Sequence, residues 1–151
     1  MTQEKNDKRE VFTQIEIAAP REKVWAVLTD FERMPEWSSS FQGIKGDFRE
    51  GGKATSRFKA PLGKKNMEFE HTIIEFEEGV SFGWSDPLMM GMSDHHLYRL
   101  EELPNGNTLF IQTDGVEGGA THFMGRLVTH NMKSMYLTFN QELKARVESL
   151  S

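Results

Sequence analysis

Residues Thr121–Glu148, THFMGRLVTHNMKSMYLTFNQELKARVE, place apolar side chains at Phe123, Met124, Leu127, Val128, Met132, Met135, Tyr136, Phe139, Leu143 and Val147. That is helical spacing over about seven turns, roughly 40 Å if unbroken. The apolar arc is wide, as expected of a helix that packs against a sheet and lines a cavity. Upstream, Pro20 suits the first turn of a second, shorter helix, where its missing N–H costs nothing. Val24, Trp25, Val27 and Leu28 then make an apolar stripe. Asp30 can cap a further short turn through Glu32 and Arg33, and Pro35 bends the chain before Trp37. Between this region and Thr121 nothing reads as helix. A curved sheet gripping one long helix buries both, and often leaves a cavity between them.

The middle of the chain supplies that sheet. Val11, Thr13, Ile15 and Ile17 alternate with Phe12, Gln14 and Glu16, a first strand after a loose leader over residues 1–9. Gly51-Gly52 and Pro61-Leu62-Gly63 punctuate the strands that follow. In Met67-Glu68-Phe69-Glu70-His71-Thr72-Ile73 the odd positions are mostly apolar, and then the phase flips, with Ile74 and Phe76 apolar. A bulge near Ile73-Ile74 restores a common inward face and bends the strand. Phe82 and Trp84 share a face of the next strand. Residues 94–101 and 108–117 form a hairpin around Asn105-Gly106, a strong turn signal.

A chain of 151 residues buries roughly 70% of its unfolded surface, enough for one domain, here residues 10–151. The formal charge of −5 and the scattered Lys and Arg argue against nucleic acid as a partner. The absence of cysteine excludes disulfides and thiolate chemistry. No stretch approaches the ~20 apolar residues of a spanning helix, and Met1–Glu10 carries no apolar secretion signal, so a cytoplasmic protein is expected.

With these features in place, the chain resembles the helix-grip, START-like or Bet v 1-like (SRPBCC) superfamily, and in particular its polyketide cyclase/dehydrase-like members. The resemblance rests on Ile15 to Phe31, the Pro35-Glu36-Trp37 step, the Phe82-Gly83-Trp84 strand, His96 to Glu101, Asn105 to Thr108 and the terminal helix. It implies an α+β fold: a curved antiparallel sheet around a long C-terminal helix, with two short helices after the first strand. It also implies a hydrophobic small-molecule partner and no cofactor. Members include hydrophobic-ligand carriers, aromatic cyclases and domains resembling the activator of the Hsp90 ATPase. Against that last group, Phe82-Gly83-Trp84 lacks an arginine and a methionine-rich loop precedes His96.

The leading functional reading is a cavity that binds a hydrophobic or aromatic molecule, lined by Phe69, His71, Trp84, His96, Tyr98, Met124, Val128 and Met135. The same residues also suit a solid core. Met89, Met90 and Met92, flexible and polarisable, read as a lid over the cavity mouth or as part of a homodimer surface. The alternative is a cyclase or dehydratase in which His71, His96 or Tyr98 moves a proton near an enolisable carbonyl. A metal site is not expected. His95 and His96 point to opposite faces of a strand, and His122 and His130 are eight apart where a shared ion needs four. Neither a Ser-His-Asp order nor a paired-carboxylate signature stands out. The glutamates 68, 70, 75, 77 and 78 read as a solvated outer face.

Overall fold

The computed structural model describes residues 8–60, 65–87, 93–118 and 121–150, with side chains from Glu10 onward and, in the last helix, from Met132. The elements are β1 (Lys8–Ile17), α1 (Arg21–Thr29), a single 3-10 turn (Met34–Glu36), β2 (Phe41–Gly46), β3 (Lys53–Phe58), β4 (Met67–Glu77), β5 (Ser81–Pro87), β6 (Ser93–Glu102), β7 (Thr108–Glu117) and α2 (Thr121–Ser149). All neighbouring strands run antiparallel in the order β1-β7-β6-β5-β4-β3-β2. The fold is therefore the helix grip, with α1 and the 3-10 turn carrying the chain from one sheet edge to the other. Of the expected leader, residues 1–7 lie outside the described residues, while Lys8 and Arg9 already pair with Glu117 and Val116.

Two local readings shift. Pro20 is the residue before α1 rather than inside its first turn, with ψ of 153°. The short turn through Glu32 and Arg33 forms, with the Arg33 amide donating to the Asp30 carbonyl at 3.1 Å, but Pro35, read as a bend, lies in a 3-10 turn at Met34–Glu36, where its fixed φ fits. The bulge forms where the phase flip placed it. Ile73 pairs with Trp84 and Glu75 with Gly83, which leaves Ile74 as the extra residue. At the β6–β7 hairpin, Gly106 adopts a φ of +85°, a conformation that side chains with a Cβ avoid.

Tyr136, Phe139, Leu143 and Val147 of α2 are buried at a spacing of three to four residues. Phe139 meets Phe41, Tyr98 and Phe110, with ring centroids 5.9–6.3 Å apart, so the C-terminal half of α2 closes over an aromatic core. Polar contacts fix the same half. The Glu142 carboxylate accepts from the Ser39 amide at 3.0 Å, the Lys144 ammonium donates to the Glu16 carbonyl at 2.8 Å, and Arg146 pairs with Glu36 at 3.1 Å. These exposed contacts set the helix's position more than its stability, each being worth under about 1 kcal/mol.

Candidate functional site

The grip is filled at one end and open at the other. Beyond the aromatic core, between β3, β4, β5, β6 and α2, lies a cavity of about 400 Å³. Its mouth is apolar. Met67 and Phe69 reach it from β4, Phe58 from β3 and Met135 from α2. Met67, Phe69 and Met135 remain 40–45% exposed, large apolar side chains gathered on one wall. Its floor is buried and polar, formed by His71, Trp84, Asp86, Asp94, His96 and Tyr136, with Ser40 and Lys59 on the side. A second depression of about 320 Å³ beside α1 and β2 has no buried titratable group in its lining.

Five of the expected ligand residues thus line one cavity: Phe69, His71, Trp84, His96 and Met135. Tyr98 does not. Two residues along β6 from His96, it stacks on Phe82 at 4.7 Å and sits in the aromatic core, a consequence of where the core ends rather than of strand phase. Met89, Met90 and Met92 lie outside the described residues, as do the side chains of Met124 and Val128.

The strand ladders assemble constellations that chain order hid. Ala54 pairs with His71, while Thr72 pairs with Ser85, so Ser56 and Asp86 flank His71 from β3 and β5. His71 Nδ1 faces Asp86 Oδ1 at 2.5 Å, and Nε2 is hydrogen-bonded to the Ser56 hydroxyl. This is a Ser-His-Asp chain, contrary to the sequence reading. It is not a nucleophilic triad in working form, because Ser56 is fully buried and is not part of the cavity wall. Its effect is to hold the His71 ring flat against Trp84, with centroids 4.8 Å apart.

A second network crosses the floor. His96 Nε2 donates to Gln112 Oε1 at 2.8 Å, Gln112 donates to Asn140 Oδ1 at 2.8 Å, and Asn140 donates to Thr13 Oγ1 at 2.9 Å. The Tyr136 hydroxyl donates to Asp114 Oδ2, which also lies 3.6 Å from His96 Nδ1. Burial holds the His96 ring neutral, with its pKa lowered to about 4. His95, by contrast, points outward to Glu117 at 2.9 Å, as the strand alternation requires.

The paired carboxylates missed in the sequence are Asp94 and Asp114. His96 pairs with Asp114 and Asp94 with Val116, so the two acids stand diagonally on the inner face. Both are buried, and Asp94 Oδ1 and Asp114 Oδ1 have no hydrogen-bond partner among the described residues. Burial, followed by repulsion from Asp114 and Asp86, raises Asp94 to about 8; burial and the Asp86 charge raise Asp114 to about 7, while bonds from Tyr136 and Asp94 restrain the rise. A proton held on either carboxyl group can be donated to the other, in keeping with the side-chain bond between Asp94 and Asp114. A signal for this was present: Asp94 is in phase with His96 and Tyr98, and Asp114 with Phe110 and Val116. Among the described residues, no three His, Asp or Glu side chains form a group able to hold a metal ion.

The family described as polyketide cyclase / dehydrase and lipid transport matches residues 8–148. The chain belongs to this family. Membership supports a cavity-binding function in general terms, without fixing a ligand or a reaction. Solved structures similar to this polyketide cyclase-like chain include a START superfamily protein from Mycobacterium smegmatis, 18% identical with a TM-score of 0.70, covering 94% of this chain and 99% of that one. Ara h 8.0201 is 14% identical with a TM-score of 0.71, covering 94% and 99%. The di-domain ARO/CYC StfQ of the steffimycin biosynthetic pathway is 9% identical with a TM-score of 0.72, covering 95% of this chain and 52% of that one. At these identities the likeness shows the fold alone. No curated protein matches the sequence. Among the described residues, no helix of this family member is long and apolar enough to cross a membrane.

Proposed function

We propose that this protein binds an apolar or aromatic small molecule in the cavity between β3–β6 and α2, and that binding rather than catalysis is its primary role. The observation that carries the reading is the apolar mouth, where Met67, Phe69 and Met135 stand exposed above a buried polar floor. Sheathing a two-ring aromatic molecule there removes on the order of 200 Å² of apolar surface from water, about 5 kcal/mol gross at ~25 cal/mol per Å². Association costs offset much of that, so the apolar walls supply affinity and the floor supplies selection.

The cyclase reading by histidine or tyrosine has less support. Both His71 nitrogens are engaged by Ser56 and Asp86, His96 Nε2 is tied to Gln112, and Tyr98 lies in the aromatic core, outside the cavity wall. A general acid or base needs a proton site within reach of the substrate. The gathering of exposed apolar side chains at a cavity mouth also favours a small ligand over a protein-docking face.

The test is a titration of the full chain with a panel of apolar fluorescent dyes, beside the variant Met135→Trp, which fills the mouth from an exposed helix position. The expected result is one dye per chain, with affinity reduced about tenfold or more in the variant while its thermal unfolding is unchanged. Failure of every dye to bind, or equal binding by the variant, would overturn the reading.

A further inference from the structure

The hydrogen-bond inventory of the cavity floor is lopsided. Its imidazole and phenol donors are already given to protein acceptors, His71 to Asp86, His96 to Gln112 and Tyr136 to Asp114, which leaves the Trp84 indole N–H as the remaining donor of the floor. The buried side-chain polar atoms without a partner, among the described residues, are both carboxylate oxygens, on Asp94 and Asp114. Asp94 lines the cavity and is only 8% exposed. A ligand carboxylate would meet this pair as a like charge. A ligand N–H would meet a ready acceptor.

Charge tells the same story. The charged groups that bear on Asp94 are Asp86 from β5, Asp114 from β7 and His71 from β4; Asp94 in turn bears on Tyr98 from its own strand and Tyr136 from α2, and His96 stands two residues along β6. With Asp94 itself, three of the seven are carboxyl groups, and His71 is already paired with Asp86. The cation in the cavity wall is Lys59, which is exposed at the side.

We propose that the occupant of this cavity is an apolar molecule carrying a protonated amine, whose ammonium hydrogen-bonds Asp94 and displaces the proton that Asp94 and Asp114 share in the ligand-free protein. The proposal rests on the binding reading above and adds the chemical class of the ligand. The balance closes: one positive charge enters with the ammonium, one proton leaves to solvent, and the buried site keeps its net charge. That exchange avoids the large cost of adding an uncompensated charge to the interior. The raised pKa values of Asp94 and Asp114 agree with a pair that holds a proton near neutral pH and yields it to a better-placed cation. Amine affinity therefore rises with pH, about tenfold per unit while one proton is released, and levels off above about pH 8.

The experiment is isothermal titration calorimetry of the full chain with three probes that share one ring system: naphthylmethylamine, naphthylmethanol and naphthalene carboxylate. Buffers of different ionisation enthalpy count the protons released. At about pH 8 the amine is expected to bind about tenfold or more tighter than the alcohol, as a hydrogen bond to a buried charge implies, with the carboxylate weakest. Near neutral pH the amine releases up to one proton and the alcohol none. Asp94→Asn should bring the amine to the level of the alcohol. If that variant does not fold, the probe order and proton count on the native chain decide alone. Binding of the alcohol with no gain for the amine would leave the cavity reading standing and overturn the ammonium assignment, as would a preferred carboxylate or an equal loss for amine and alcohol in Asp94→Asn. If none of the three binds, both readings fall.

Discussion

Asp94 and His96 are two residues apart on one strand, yet burial pushes them in opposite directions on the pH axis. From about pH 4 the folded chain keeps protons that the unfolded chain has released, up to about pH 8 on Asp94 and about pH 7 on Asp114, so their contribution to stability falls as pH rises. His96 works the other way between its folded value of about 4 and its ordinary value of 6.5: the unfolded ring takes up a proton that the folded ring refuses, so stability rises with pH across that window. Asp94→Asn removes the Asp94 share of the first effect and leaves the second. The variant should be more stable than the native chain at pH 8 by on the order of 2 kcal/mol, with the gain shrinking towards acid pH. Urea denaturation across the pH range reads this directly. The phase of His71 was legible in the sequence, because alternation alone turns it inward with Met67 and Phe69. Its partners were not, since Ser56 and Asp86 reach it only through the registers of β3 and β5. The inward phase of Asp94 and Asp114 was legible too, but a lone in-phase acid has no meaning until the β6–β7 register places a second one diagonal to it.

At the scale of the element, β4 and β5 decide where the cavity sits. The bulge at Ile74 brings Phe76, three residues after Ile73, onto the inner face that His71 and Ile73 already share, where it meets Trp25 and Phe48, and the phase flip in the sequence marked it. Opposite the bulge stands Gly83, paired with Glu75 and Leu97. A Cβ there would lie 2.2 Å from Leu97 Cδ2 and 2.7 Å from the His96 carbonyl oxygen. The side chain of Leu97 can move; the backbone of β6 moves only by disturbing its ladder. Gly83→Ala is therefore expected to lose about 1–3 kcal/mol of stability, measured by chemical denaturation. The second short helix shows what pattern reading lacks. Asp30 is a plausible cap and Pro35 a plausible break, but Pro35 instead seeds the 3-10 turn, because the chain must cross to the far sheet edge there.

For the whole molecule, the terminal helix has two jobs along its length. Phe139, Leu143 and Val147 complete the aromatic core, while Met135 and Tyr136 close one side of the cavity. The wide apolar arc of Thr121–Glu148 announced both jobs together, but the boundary between filled core and open cavity was invisible in it, which is why Tyr98 was expected on the wrong side. Separation of the two halves is testable. Leu143→Ala removes a fully buried side chain and should cost about 2–5 kcal/mol while leaving dye affinity in the folded protein unchanged, as thermal melts and titrations would show together. Met135→Trp should do the reverse. The most direct test of a cavity ligand is methyl NMR on methionine-labelled protein titrated with naphthylmethanol. The account predicts that the methyl signals of Met67 and Met135, which line the cavity, shift in a saturable one-to-one manner while that of Met34, buried in the core, stays still. Static Met67 and Met135 signals, or a Met34 signal that moves with them, would contradict it.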